Sequence, residues 1–488
     1  MAQRLDREIL VLGSVVVLGT IMTVLDLTIV NVAIPTLGRD FGTSISTIQW
    51  VMTGYMLAFA SVIPVAGWAS ERFGAKRVWL GSLLVFLAGS VLAGAAWSIG
   101  TLIGFRVLQG LGAGMILPVG QTILAQAAGP QRMGRVMSLI GVPMLLAPVF
   151  GPVLGGAIVD GFSWRWIFYI NVPVGALALV AAVRLLPETK PQLGQRLDLR
   201  GLALLAPGIG LFLYGMSEAG NHGSFSGAQT LGTAAAGLAL VALYVWHAML
   251  RGTEALIDLS LFARRGFAVA AALNFVLPLA LFGTLLLLPL YYQVVRHESP
   301  LDVGLLLAPQ GVGAALVMPL AGYLTDRIGA RLVVATGIVL ASVGTLAYTQ
   351  LGADTSYTYL AAALLVLGAG AGGTIMPSMA AAFQALGRAD AARGTSALNT
   401  IQRIAGAIGT ALLAIVLQRA IAANVPDLHD GVQALTTVAR GPRAEPVADA
   451  FGTTFWVALG LFPASMVPAL LLPTPQRAHA ATEARPVA

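Results

Sequence analysis

The sequence predicts an all-α integral membrane protein: two pseudo-symmetric six-helix halves plus two additional transmembrane helices. Composition is the first observation. Hydrophobic residues make up 57% of the 488 positions and charged residues only 10%, with a mean hydropathy of +0.84, far from an ordinary soluble chain. A soluble core this apolar would leave large exposed patches and aggregate. The second observation is a repeat. Gly67, Glu71, Arg72, Gly74 and Lys76 recur 255 positions on as Gly322, Asp326, Arg327, Gly329 and Arg331. Each copy lies between apolar runs long enough to cross a bilayer, which takes about 20 residues. The third is the placement of the bases.

Read in order, the first apolar run covers 9–34. It is too long for a cleavable signal segment and lacks a small-residue cleavage site, so it reads as a membrane helix. Further spans follow at 47–69, ending in the first repeated loop, then 77–98, 100–125, 134–159 and 166–186. Together they form an N-terminal half, 1–186. The connector 187–265 holds a polar, basic stretch, Pro187–Arg200, and two inserted spans, 199–217 and 227–249, because the repeat offset exceeds what six helices need. The C-terminal half, 266–473, holds spans at 266–293, 303–324, 331–350, 356–385, 395–422 and 450–473, for fourteen in all. Between the last two lies an external loop, 424–449, either a small lid or a disordered segment. The Ala-rich tail 474–488 reads as flexible.

With both termini inside the cell, twenty of the 28 bases fall in cytoplasmic segments and six in external ones, the bias that the positive-inside rule describes. Only Arg106 and Arg403 remain within the membrane. The net charge of +7 therefore marks membrane topology and not a nucleic-acid surface, since the bases sit in short loops and form no helical stripe. There are no cysteines, so thiol chemistry is absent.

Asp26 is the one acid well inside a predicted span, with apolar neighbours on both sides. A lone carboxylate at that depth must bind a proton or find a cation. It is either a proton- or cation-carrying acid or a structural carboxyl bonded to a neighbouring helix. Arg106 lies at a matching depth, roughly 10 Å below the outer surface by helical rise, and shares a helix face with Gln109, Gly110 and Ala113. Arg403 sits nearer the cytoplasmic end, where it could snorkel, and no acid of the second half is available to it. The repeated loops combine an acid, a base and a glycine turn at a helix end, as expected of charge pairs that hold one conformation and break in another. The fifth span carries Pro143, Pro148, Gly151, Pro152, Gly155 and Gly156, which bend a helix and let a neighbour approach closely, as in a hinge. Candidates for a largely apolar cavity are Asn31, Trp50, Tyr55, Met56, Phe59, Gln109, Gln121, Asn274, Phe275, Tyr292, Gln310, Gln402 and Arg403, each equally readable as packing. Trp164, Trp166 and Tyr169 read as interfacial anchors. All five histidines fall in loops, span ends or the tail, so no metal or His-based catalytic cluster is expected. No Walker A sequence is present either.

These residues resemble the major facilitator superfamily, in particular its fourteen-helix drug:proton antiporter branch. Leu25-Asp26-Leu27-Thr28-Ile29-Val30-Asn31-Val32-Ala33-Ile34-Pro35 is similar to that branch's first-helix motif. Gly67 to Arg77 resembles the loop motif between helices 2 and 3, with Glu71 where aspartate is usual. Arg106, Gln109, Gly110, Gly112 and Gly114 match the fourth-helix motif, and Gly151-Pro152-Val153-Leu154-Gly155-Gly156 the antiporter motif of the fifth. Trp164-Arg165-Trp166-Ile167-Phe168-Tyr169-Ile170-Asn171-Val172-Pro173 is also similar. The resemblance implies an alternating-access exporter of amphiphilic, often cationic compounds, exchanged for protons through Asp26 and Arg106. It implies no enzyme activity and no cofactor, a place in the bacterial inner membrane, and partners limited to protons, small amphiphiles and lipid, with a single copy functional. A dedicated exporter of one metabolite, siderophore or lipid, and a non-transporting sensor or scaffold, are the alternative expectations.

Overall fold

A computed structural model of the chain describes residues 7–189, 191–192, 196–225, 227–425 and 444–473. The predicted tail, most of the loop 424–449, and the bases Arg4, Lys190, Arg440, Arg443, Arg477 and Arg485 lie outside the described residues, as do the side chains of Pro143, Pro148 and Pro152. Every regular element among the described residues is helical. The first eight helices are α1 (Arg7–Asp40), α2 (Ile45–Val62), α3 (Val65–Phe73), α4 (Ala75–Gly94), α5 (Ile99–Ala128), α6 (Met133–Gly161), α7 (Trp166–Tyr169) and α8 (Asn171–Leu185). Then come α9 (Leu199–His222), α10 (Ala228–Arg251), α11 (Arg265–Val294), α12 (Pro300–Ile328), α13 (Ala330–Ala347), α14 (Tyr357–Gln384), α15 (Ala391–Asn424) and α16 (Ala444–Leu471). Twelve spans are long and apolar enough to cross a membrane, α7 and α8 together forming one, and counting the bent pair α2–α3 makes thirteen. Length and composition thus support twelve or thirteen crossings where the sequence predicts fourteen. α6, 29 residues long, lies at the remaining predicted position.

The end of the bundle that carries both repeated loops and their contacts is its near face, the other its far face. α1 to α8 pack on one another, with α4 and α2 against α5 and α6 and α8 against α1; α11 to α16 form a second group through α12–α14, α13–α14 and α11–α15. Glycine sets how close they come. A β-carbon on Gly110 would lie 2.4 Å from the Tyr55 carbonyl, on Gly112 2.4 Å from the Phe86 nitrogen, and on Gly114 2.2 Å from the Phe59 carbonyl. α5 is therefore gripped by α2 on one side and α4 on the other, as small-residue packing allows in lipid.

The two repeated loops share one backbone shape. Gly74 has φ 87° and Gly329 φ 89°, a region L-residues disfavour, and each ends one helix and begins the next. α2 and α3 meet at a 55° bend around Pro64, whose missing N–H breaks the helical ladder. Ser396, on α15 of the other group, donates its hydroxyl to the Ile63 and Pro64 carbonyls at 2.9 Å, so the break is satisfied from across the molecule.

The inserted pair α9–α10 bridges the groups along one side. Tyr214 of α9 stacks on Trp50 of α2 with ring centroids 5.7 Å apart, Ser61 donates to the Ala206 carbonyl, and Gln418 of α15 donates to the Gly220 carbonyl at 2.9 Å. At the near face Asp198 caps α9 through the Gly201 N–H (2.9 Å), meets His247 of α10 at 2.9 Å and accepts the Leu256 N–H. Burial alone would raise its carboxyl, yet these donors hold it below the ordinary carboxylate range. Because the folded value is the depressed one, its contribution holds above the ordinary carboxylate range and is lost only as the pH falls through the lower folded value. Asp198→Ala, which strands three donors, is expected to lower stability by about 1–3 kcal/mol, read as an earlier thermal unfolding midpoint in detergent; an unmoved midpoint would show the tie contributes nothing.

Candidate functional site

Asp26 is fully buried, on the inner face of α1. All its side-chain partners lie in the first group, on α5 and α8. Arg106 Nη1 donates to its Oδ2 at 2.5 Å, Gln109 Nε2 to Oδ1 at 2.9 Å, and Asn171 Nδ2 to Oδ1 at 3.0 Å. Arg106 and Gln109 reach it together because they sit one turn apart on α5, and Arg106 Nη1 also donates to Gln109 Oε1 at 2.7 Å. The guanidinium spends its other contacts on α2: Nε donates to the Val51 carbonyl, and Cζ lies 4.0 Å from the centre of the Tyr55 ring. Asn171 also donates to Ser90 of α4, whose hydroxyl bonds the Phe168 carbonyl at 2.8 Å. Carboxyl and guanidinium thus satisfy one another in a fully buried pocket, where either charge alone would be costly.

α6 presses on this site from behind α1. A β-carbon on Gly151 would collide with the Thr28 hydroxyl, and one on Gly155 would meet the Ile29 carbonyl at 3.1 Å. The glycines predicted as a hinge therefore contact the stretch of α1 that carries Asp26, while Gly156 has open space beside it. α6 is one continuous helix.

At the near face both repeated acids reach across to the opposite group. Glu71 accepts Arg393 Nε of α15 at 3.0 Å and 3.1 Å. Asp326 accepts Arg135 Nε of α6 at 2.8 Å and the N–H groups of Gly134 and Arg135 at 2.7 Å and 3.3 Å, an anion at a helix N-terminus. Close glycine contacts accompany both: Gly67 against Arg393 and Ser396, Gly322 against Gly134 and Ser138. Arg393 is held as well by the Thr253 carbonyl at 2.8 Å and by Asp258 at 3.4 Å, both in the turn that follows α10. Lys76 donates to the Val183 carbonyl and pairs with Glu188 at 3.5 Å, within its own group. Arg327 lies 5.5 Å from the Tyr323 ring.

The other cavity candidates scatter. Gln121 accepts Asn399 at 2.8 Å across the two groups. Asn274 accepts Gln402 at 2.7 Å and Ser378 at 3.2 Å within the second group. Tyr292 is buried in the core beside Tyr291, which packs on Phe451. Phe275 and Gln310 are partly buried and Asn31 exposed, as are Trp50 and Met56. Trp164 is buried and donates Nε1–H to Asp40 at 2.8 Å, tying down the end of α1.

Sequence reasoning passed over Ser90 as a partner and Asn171 as more than a motif position; a polar side chain in an otherwise apolar span was the available signal for each. It also passed over Arg135 and Arg393 as lock residues. An arginine beside a glycine at the opening of each helix, Arg135 in α6 and Arg393 in α15, was the signal there.

Residues 16–410 match the Major Facilitator Superfamily. The chain is 41% identical, over 98% of its length and 92% of the relative's, to a multidrug resistance protein B homolog of Mycobacterium tuberculosis. It is 33% identical to the multidrug export protein EmrB of Haemophilus influenzae over 81% of this chain and 78% of that one. The human organic anion transporter MFSD10 has the same fold, with a TM-score of 0.62 at 17% identity, covering 94% of this chain and 100% of its own. Repeated halves, the matched loops and these likenesses agree: the chain belongs to the Major Facilitator Superfamily.

Proposed function

We propose that this protein is a proton-coupled exporter of amphiphilic compounds in the bacterial inner membrane, with the near face cytoplasmic and a single copy sufficient. The halves 1–186 and 266–473 rock about the inserted pair. The conformation at hand is closed on the cytoplasmic side, supported by the crossing contacts of Glu71, Asp326 and Ser396 at that end. Relatives named for multidrug resistance and export support the direction of transport.

The observation that carries this reading is Asp26, fully buried with three side-chain donors and one cation. Uptake of a proton erases its charge and frees Arg106, Gln109 and Asn171, so α1 and α5 lose what fixes them together. Because α6 lies against the same turn of α1, the change passes to the helix that meets α12 and α14 of the other half. One proton moving through about 100 mV supplies about 2.3 kcal/mol, enough for a gradient on the order of fifty-fold. To test the reading, acidified everted vesicles carrying the protein are given a fluorescent amphiphile and the internal pH is followed. Proton leak that depends on the amphiphile is expected; its absence, with the amphiphile bound, would favour a non-transporting sensor.

A further inference from the structure

Arg403 is the cation that the Asp26 site leaves over. It lies twelve residues into α15, with its guanidinium carbon 4.4 Å from the centre of the Phe59 ring of α2. It is partly accessible and meets Phe59 of the opposite half. No carboxylate or hydrogen-bond acceptor meets it among the described residues, and Asp26 is already held by Arg106. Next to it stands a second unsatisfied group. Tyr55 is fully buried, its ring is covered by Arg106, and its hydroxyl has no partner. Phe59 joins the two groups, its ring centroid 6.1 Å from that of Tyr55 and 4.4 Å from the Arg403 guanidinium carbon. A guanidinium away from bulk water and an orphan hydroxyl each demand an acceptor, and a ring face beside them offers stacking.

We propose that Arg403 and Tyr55 bind an anionic group, a carboxylate, sulfonate or phosphate, carried by an aromatic substrate whose ring lies on Phe59. This rests on the exporter reading and reverses one part of it, the expectation of cationic cargo. The central charges are one acid paired to one base plus one further base, so the site as a whole attracts anions. The energetics of the cycle follow. Sending one monoanion out while one proton comes in carries two charge equivalents along the membrane potential, whereas exchange of a monovalent cation for a proton carries none.

Two probes with one skeleton isolate the charge: 8-anilinonaphthalene-1-sulfonate and the neutral N-phenyl-1-naphthylamine. Binding of each to the full chain in nanodiscs is measured by equilibrium dialysis against empty nanodiscs. The wild type is expected to prefer the sulfonate. In Arg403→Gln the ratio of sulfonate to neutral affinity is expected to fall about ten- to a hundredfold. Arg403→Lys should keep most of the preference, and Tyr55→Phe should lose part of it. Should Arg403→Gln fail to fold, the Lys and Phe variants carry the test through the same ratio. A wild type indifferent to the sulfonate, or variants in which both probes weaken equally, would overturn the proposal. Proton-coupled efflux of the neutral probe by the wild type is scored separately, so failure of the exporter reading is told apart from failure of the anion site.

Discussion

Asp26→Asn is expected to abolish proton-driven efflux. The substitution keeps the shape and removes the charge, so the fifty-fold gradient that one proton can sustain collapses to none. Passive exchange of substrate down its own gradient should persist, because the rocking of the halves does not itself consume a proton. The variant has a structural penalty that must be separated from the functional one. Arg106 is fully buried, and without its counter-ion it becomes an unpaired charge in the membrane, worth about 3–5 kcal/mol. The double variant Asp26→Asn with Arg106→Gln replaces the pair by neutral hydrogen-bonding groups and is expected to recover the unfolding midpoint without recovering coupling. Efflux from proteoliposomes with and without an imposed pH gradient reads both quantities. Coupled efflux at the wild-type level in either variant would remove Asp26 from the proton path.

The second large effect is expected at the near-face lock. Glu71 pairs with Arg393 and Asp326 with Arg135, and all four side chains are mostly buried. Neutralising one partner of such a pair costs about 2 kcal/mol or more. The two pairs share no residue, so the losses should add. Glu71→Gln with Asp326→Asn is then expected to shift the balance toward a near-face-open state by on the order of a thousandfold. The chain has no cysteine, so a single cysteine in place of the buried Ser138 reports the opening without background. Its labelling by a membrane-impermeant maleimide should accelerate in the double variant and stay slow in the parent. Equal rates would mean that helix packing, and not these charges, keeps the face closed.

Much of this was legible because charge is rare in oil. Asp26 and Arg106 stand out of apolar runs at matching depths, and Gln109 follows by helical spacing, so the ion pair and its amide were readable from composition and period alone. The repeated loops were readable because the same acid, base and glycine recur in order. Their partners were not. Nothing in the loop spacing says that Glu71 meets Arg393 or that Asp326 caps α6, because those contacts join segments 322 and 191 positions apart. Asn171 reaches Asp26 from 145 positions away, and although it is a polar side chain in an apolar span, nothing in that span names its partner. The seat of α9 between α2 and α15 was also hidden: lipid and protein interior are alike in polarity, so an apolar helix face does not reveal its neighbour. The depth match said that Asp26 and Arg106 could meet, and not that every side-chain partner of Asp26 would come from its own half.

Proton release on binding tests the central claim most directly. Purified protein in weakly buffered detergent receives a saturating amphiphile while a pH indicator counts the protons set free. About one proton per substrate bound is expected from the wild type if a single acid exchanges its proton for cargo, and none from Asp26→Asn. Equal release from both proteins, or substrate binding with no proton released by the wild type, would contradict the account.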